Sequence, residues 1–193
     1  MLVLASQSQS RSAMLQAAGI AFEAVPAEVD ERALEREMEG ADPTEIAQAL
    51  AAAKAAAVSA MRPDDLVLGS DSLVTVEGER FDKPASREDA ARHLRYFSGR
   101  TLRLHSAAAL ATGGRIDWIG SDMASLGVRE LSDAFIEDYL AHEWPQVAGC
   151  VGVFRIEARG VLLFDRIVGD HFTILGMPLI QVLAALRERD VLE

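Results

Sequence analysis

The chain has 193 residues, half of them hydrophobic, which is enough for one domain, or for one domain with two lobes. Its formal net charge of −11 argues against a nucleic-acid groove, which needs a basic face, although a local cluster of cations could still hold a nucleotide. Cys150 is the only cysteine, which excludes an internal disulfide and a cysteine-based zinc site.

No apolar run is long enough to cross a bilayer, and the first one is too short and lacks the basic flank of a signal peptide. We therefore expect a cytoplasmic protein with no membrane or nucleic-acid partner.

Strands and helices alternate along the chain, and turns that favour hairpins interrupt the alternation. The expected strands are at residues 2–5, 22–25, 66–76 (broken at 69–72), a short return ending near Asp82, 102–111, 116–128 and 161–168. The expected helices are at 11–18, 45–60, 86–97, 132–142 and 178–189, with an exposed acidic stretch at 28–39. This order predicts an α/β protein with a mixed β-sheet flanked by helices.

The loop after the first strand offers groups that suit an anion. Ser6, Ser8 and Ser10 supply hydroxyls, Arg11 supplies a guanidinium, and the following helix supplies free backbone N–H groups at its N-terminus. Phosphate fits this set best. The alternative is that Ser8 or Ser10 only caps the helix.

Asp71 lies inside an apolar run, Leu66-Val-Leu-Gly-Ser-Asp-Ser-Leu-Val-Thr-Val. Because an unpaired buried charge is costly, this carboxylate should face a cleft, a cation or a metal. Gly69 just before it permits a bulge or the close approach of a ligand. The alternative is a turn aspartate between two short strands.

Two lysines and one acidic residue are further candidates. Lys54 is the only cation of an alanine-rich helix, and Lys83 precedes Pro84, so both could hold a phosphate as point charges. Glu31, together with Asp71, could hold Mg²⁺, which takes hard oxygen ligands and few protein groups. Solvated surface residues are the alternative for each, and the four histidines show no metal spacing.

Taken together, these segments resemble the Maf family of nucleoside triphosphate pyrophosphatases along nearly the whole chain. The motifs that carry the resemblance are Leu4-Ala-Ser-Gln-Ser-x-x-Arg11, Glu28-Val-Asp-Glu31, Lys54 after Leu50-Ala51, Gly69-Ser-Asp71, Lys83-Pro84, Leu94-x-x-x-Ser98-Gly99, Arg129-Glu-Leu-Ser-Asp133, Gly169-Asp170 and Gly176-Met-Pro178-Leu. Their order and spacing are more specific than any single motif.

The resemblance implies one Maf-like domain over residues 1–193, with an ITPase-like mixed sheet and two lobes around a cleft. It implies hydrolysis of a nucleoside triphosphate to a monophosphate and pyrophosphate with a divalent cation, Mg²⁺ or Mn²⁺, and a homodimer, although the sequence marks no interface. By the same resemblance, Asp71 is the proton acceptor and, with Glu31, a metal ligand. The phosphate-binding residues implied are Ser6, Ser8, Arg11, Lys54 and Lys83.

Three places depart from the family pattern and bear on the base. Gln9 and Ser10 stand where a Pro and an Arg or Trp are usual, and Ser72 ends a Gly-Ser-Asp-Ser run where the dTTP- and UTP-cleaving branch has Gly-Ala-Asp-Thr. Glu157 replaces the glutamine of that branch. A carboxylate offers two acceptors to the N1–H and N2 amino groups of guanine and favours the positive charge of a 7-methylated base. Ser10, Ser72 and Glu157 are therefore the expected specificity residues, and 7-methyl-GTP is the favoured substrate.

Two other functions remain open from the sequence. One is a nucleotide-binding regulator of septum formation and cell division with little catalysis. The other is a phosphatase on a related α/β scaffold that releases orthophosphate, which the identity of the products would distinguish.

Overall fold

A computed structural model describes residues 1–192 and has a mixed α/β architecture with seven strands and seven α-helices. The strands are β1 (Leu2–Leu4), β2 (Glu23–Ala24), β3 (Leu66–Val76), β4 (Glu79–Phe81), β5 (Thr101–Thr112), β6 (Arg115–Val128) and β7 (Phe164–Val168). The helices are α1 (Gln9–Ala17), α2 (Glu31–Glu37), α3 (Pro43–Met61), α4 (Arg87–Phe97), α5 (Asp133–Glu143), α6 (His171–Ile174) and α7 (Leu179–Arg187). The predicted fold class is confirmed.

The strands pair in the order β2-β1-β3-β5-β6-β7, and β4 pairs with β3. β1 runs parallel to both β2 and β3, whereas β3 with β4 and β6 with β7 are antiparallel pairs, so the sheet is mixed. The Gly113-Gly114 turn between β5 and β6 is as predicted: both glycines have positive φ, as a two-residue hairpin turn requires.

The chain divides into two compact units. Unit 1 comprises Met1–Ser72, His105–Asp122 and the chain from Asp170 onward, and unit 2 comprises Leu73–Leu104 and Met123–Gly169. In the described chain, no helix is both long and apolar enough to cross a membrane.

The core of unit 1 follows the alternation of side chains along its parallel strands. Leu2, Leu4 and Leu68 face one side, where they pack with residues of α1 and α7. Val3 and Val67 face the opposite side and pack with residues that include Val58 of α3. The two faces of β3 therefore meet different helices, and this separation positions the candidate site.

In unit 2, α4 and α5 pack together and are linked by Arg95 Nε, which donates to Asp133 Oδ1 at 2.6 Å. Glu143, almost fully buried at the end of α5, accepts from two nitrogens of Arg155 at 2.9 and 3.0 Å. β7 pairs with the last part of β6, with a bulge at Gly127 and Val128.

Two local predictions were wrong, and two helices were missed. β3 is continuous through residues 69–72. Asp71 stays in the strand because Lys54 of α3 neutralises its charge there, so no loop is needed to expose the carboxylate. The acidic stretch contains α2, which Asp30 caps by accepting from the Ala33 N–H, and since this helix buries no residue its sequence carries no apolar periodicity. Residues 159–163 form a 3-10 helix instead of the start of a strand. The short helix α6, capped by Asp170, was missed.

Candidate active site

The candidate site of unit 1 begins at the loop that follows β1. Ser8 caps α1 by accepting from the Arg11 N–H, and its phosphate contact stays a prediction. The buried Ser6 hydroxyl accepts from the Ser8 N–H at 3.1 Å and from Arg11 Nη1 at 3.3 Å. Because a serine oxygen has two lone pairs, these two bonds leave the Ser6 O–H as a donor for a ligand.

Arg11 is held by three groups, two of which come from distant parts of the sequence. Its Nε donates to the Gly176 carbonyl at 3.0 Å, and its Nη1 and Nη2 donate to the Ser6 and Ser72 hydroxyls, each at 3.3 Å. Burial lowers the pKa of the guanidinium, while the negative charges of Asp71 and Glu31 act in the opposite direction. The side chain is thus a fixed cation that retains unused N–H groups.

The Gly176 carbonyl ties this segment to β3. It accepts from Arg11 Nε, from the Ser70 hydroxyl at 3.2 Å and from the Ser72 hydroxyl at 2.9 Å. Gly176 has a φ of +103°, a conformation that favours glycine, and a Cβ here would lie in tight contact with the Ser72 oxygen, at 3.2 Å. Ser10 adds a bond from its hydroxyl to the Leu175 carbonyl at 2.8 Å.

The opposite face of β3 carries the carboxylate of Asp71. Gly69, on the same face, lets α3 approach so closely that a Cβ would lie 2.2 Å from the Ala51 carbonyl oxygen. The predicted close approach at Gly69 is therefore made by a helix within the protein. It brings Lys54 of α3 over Asp71.

Lys54 and Asp71 form a buried ion pair, in which Lys54 is 9% exposed and Asp71 is 8% exposed. Lys54 Nζ lies 2.5 Å from Asp71 Oδ1 and 2.9 Å from Glu31 Oε1. Glu31 is the first residue of α2 and is largely exposed. Because Lys54 contacts Oδ1 of Asp71, the other oxygen of that carboxylate, Oδ2, is left to take a proton or to hold a cation. The alternatives of a solvated Lys54 and a turn Asp71 are both wrong.

The predicted site residues of unit 2 are Lys83 and Glu157, both exposed. Burial raises the pKa of the Cys150 thiol, the charge of Glu157 raises it further, and the charges of Arg155 and Lys83 lower it. Lys83 and Glu157 are therefore both close enough to Cys150 to act on it electrostatically.

Sequence reasoning missed the Gly176 carbonyl, which accepts from Arg11, Ser70 and Ser72, and the Ser106 hydroxyl, which lies 3.0 Å from that of Ser72. A signal for Ser70 was present, since residues two apart on a strand share a face and Ser70 and Ser72 flank Asp71. Nothing in the local sequence indicated that the Gly176 carbonyl would accept their bonds.

These groups define a class of protein: an α/β protein in which a central strand, β3, carries a buried lysine–carboxylate pair on one face and serine hydroxyls that hold an arginine on the other. Residues 1–189 match the family model described as Maf-like protein, and the chain belongs to that family.

Curated relatives match nearly the whole chain. A nucleoside triphosphate pyrophosphatase of Sphingopyxis alaskensis is 47% identical over 96% of this chain and 96% of its own length. A 7-methyl-GTP pyrophosphatase of Mesorhizobium japonicum is 46% identical over 96% of this chain and 94% of its own length. Among solved structures, the Staphylococcus aureus Ham1 protein has a TM-score of 0.46 at 15% identity over 67% of this chain and 72% of that chain, a likeness too low to build on.

Proposed function

We propose that this protein is a nucleoside triphosphate pyrophosphatase, which adds water across the bond between the α- and β-phosphates and releases a nucleoside monophosphate and pyrophosphate. The observation that carries the proposal is the buried Lys54–Asp71 pair, whose carboxylate acts electrostatically on the guanidinium of Arg11, held by Ser6. The names of the relatives support the same activity and do not favour a regulator without catalysis.

In the proposed reaction, Asp71 orients the attacking water and takes its proton on Oδ2, while the water oxygen bonds to the α-phosphorus. The bond from the α-phosphorus to the bridging oxygen breaks, and pyrophosphate leaves with that oxygen. A positioned base of this kind contributes ~10²–10⁴-fold to the rate. Until the phosphates bind, the ion pair with Lys54 fixes the Asp71 carboxylate, since the Lys54 Nζ contacts Oδ1. Arg11, the Ser6 O–H and Lys54 stabilise the negative charge that develops on the phosphates, and Lys83 is proposed to act with them.

A divalent cation fits this set, because Glu31 and Asp71 place two hard carboxylate oxygens within 3 Å of one nitrogen position. When bound, it would neutralise charge on the phosphate oxygens. In the part of the chain that the structure describes, no third His, Cys, Asp or Glu joins them as a ligand, so phosphate and water would complete the shell. Mg²⁺ and Mn²⁺ both prefer such oxygen ligands, and either ion fits this set.

We propose 7-methyl-GTP as the preferred substrate. The support is Glu157, an exposed carboxylate with two acceptors for the N1–H and N2 amino groups of guanine and a charge that suits a methylated base. Relatives of both names have similar identity to this chain, so identity does not choose between bases. The hydroxyls of Ser10 and Ser72 bond to carbonyls of the protein, and we propose that these two residues act on specificity by positioning the loop and Arg11.

The test is pyrophosphate release with Mg²⁺ from dTTP, UTP, CTP, GTP, ITP and 7-methyl-GTP. Asp71→Asn should lower kcat by ~10²-fold or more, because it removes the base. Asp64→Asn is the matched control: Asp64 is an exposed aspartate of the same unit and should keep wild-type rates.

A folded Asp71→Asn protein that keeps more than about a tenth of the wild-type rate contradicts the role of Asp71. Orthophosphate and a diphosphate as products would identify a phosphatase instead. Preference for dTTP or UTP would overturn the argument from Glu157, and no turnover on any triphosphate would favour the regulator.

A further inference from the structure

The ammonium of Lys54 occupies the position between the two carboxylates that suit a divalent cation. Its nitrogen lies 2.5 Å from Asp71 Oδ1 and 2.9 Å from Glu31 Oε1. The Lys54 side chain is only 11% exposed, so solvent does little to screen its charge, and α3 keeps the ammonium between the carboxylates. A cation that approaches these two oxygens must therefore face a fixed positive charge.

The charges of the cluster are already balanced. Asp71 and Glu31 supply two negative charges, and Lys54 supplies one positive charge in direct contact. Arg11 supplies another, since both carboxylates act electrostatically on its guanidinium. Within residues 1–192, no group of three or more His, Cys, Asp or Glu side chains could hold a metal ion. A free divalent cation thus meets a neutral cluster with two carboxylate ligands, each of which has one oxygen in contact with Lys54.

A triphosphate changes this balance, because its oxygens offer Lys54 and Arg11 alternative anionic partners and offer a cation the ligands that the protein lacks. We propose that Lys54 blocks the two carboxylates against a free divalent cation and releases them only when the phosphates arrive, so that the true substrate is the cation–nucleotide complex. This inference rests on the proposed function and deepens it: the protein is not loaded with metal in advance.

The test measures Mn²⁺ binding to the full-length protein without nucleotide, from the loss of the free-ion signal in electron paramagnetic resonance. Lys54→Met should bind Mn²⁺ more tightly than wild type by about ten- to thousandfold, the size of effect that one charge at this distance has on a carboxylate. Lys54→Gln, which keeps a polar group, should show the same direction, and circular dichroism checks that both variants fold.

Arg62→Met is the matched control. Arg62 is also a cation shared by two carboxylates of unit 1, with Nη2 2.9 Å from Glu23 and Nε 2.8 Å from Asp65, but these groups lie at the surface. Its removal frees Glu23 and leaves Asp65 paired with the amino terminus of Met1 at 3.1 Å, and it should leave Mn²⁺ affinity and turnover unchanged.

Tighter binding in the folded Lys54 variants alone supports the inference. Wild-type affinity equal to that of the Lys54 variants overturns it, and so does an equal gain in Arg62→Met. Because the Mn²⁺ measurement needs no turnover, it separates the two proposals: an active wild type with no gain in the Lys54 variants refutes only the blocking role. A wild type that cleaves no triphosphate refutes the proposed function, and the inference falls with it.

Discussion

The close approach of α3 to β3 at Gly69 gives the sharpest prediction. Gly69→Ala would place a Cβ 2.2 Å from the Ala51 carbonyl oxygen, 2.6 Å from the Ala55 nitrogen and 3.0 Å from the Ala55 Cβ. Two of these three neighbours are backbone atoms, so no side-chain rotation relieves the contact. The helix must retreat by roughly 1 Å to restore ordinary van der Waals distances.

Two quantities should change together. Overpacking of a rigid core costs about 1–3 kcal/mol, and contact with the backbone places this variant near the upper limit. For a chain of this length, about 3 kcal/mol corresponds to a Tm lower by roughly 6–12 °C. Because the same helix carries Lys54 to Asp71, a displacement of about 1 Å should also lower kcat by ~10²-fold.

Thermal unfolding and pyrophosphate release check both effects in one preparation. Gly149→Ala is the matched control, since a Cβ at Gly149 meets no atom within 4 Å and its φ is outside the left-handed region. A Gly69→Ala protein with stability within about 0.5 kcal/mol of wild type and an unchanged kcat would refute the account of how α3 positions Lys54.

Three further predictions concern the other supports of the site. Arg11→Lys should lower kcat/KM by about 10–100-fold in the pyrophosphate assay, because a single ammonium cannot replace the fork that bonds three groups; an unchanged kcat/KM would contradict this. Ser72→Ala should lower kcat/KM by roughly fivefold, because Arg11 loses one of its partners. Ser106→Ala loses a contact to Ser72 but none to Arg11, so its effect on kcat/KM should be smaller, and a larger effect would contradict this account. The N–H of Thr44 lowers the pKa of the Asp42 carboxyl at the start of α3. The ionised cap therefore stabilises the fold at a pH above the ordinary pKa of an aspartate, and this stabilisation is lost as the pH falls through the lowered pKa. The Tm difference between wild type and Asp42→Ala should accordingly vanish in acid.

The sequence was most informative at Asp71, where a charged residue interrupts the apolar pattern of a strand. A carboxylate within an apolar strand is costly when unpaired, so the sequence predicted a cleft, a cation or a metal for Asp71, and the structure places the cation of Lys54 there. The same reasoning failed on the local backbone, because it broke the strand at residues 69–72 to expose the charge. The partner instead came from α3, and β3 remained continuous.

The supports of Arg11 could not be predicted in the same way. Gly176 is 165 residues away in sequence and contributes a backbone carbonyl, a group that every residue has and that periodicity does not mark. Helix α2 was missed for a related reason, since an exposed polar helix lacks the apolar stripe that identifies helices.

The scarcity of lysine has a practical consequence. Lys54 and Lys83 are the only two lysines of the chain, one enclosed by carboxylates and 9% exposed, the other at the surface. Amine-reactive labels, acetylation and lysine crosslinkers can therefore modify only these two side chains and the amino terminus. Chemistry that modifies Lys83 alone leaves the ion pair of Lys54 intact, so a single mass spectrum distinguishes the enclosed amine from the accessible one.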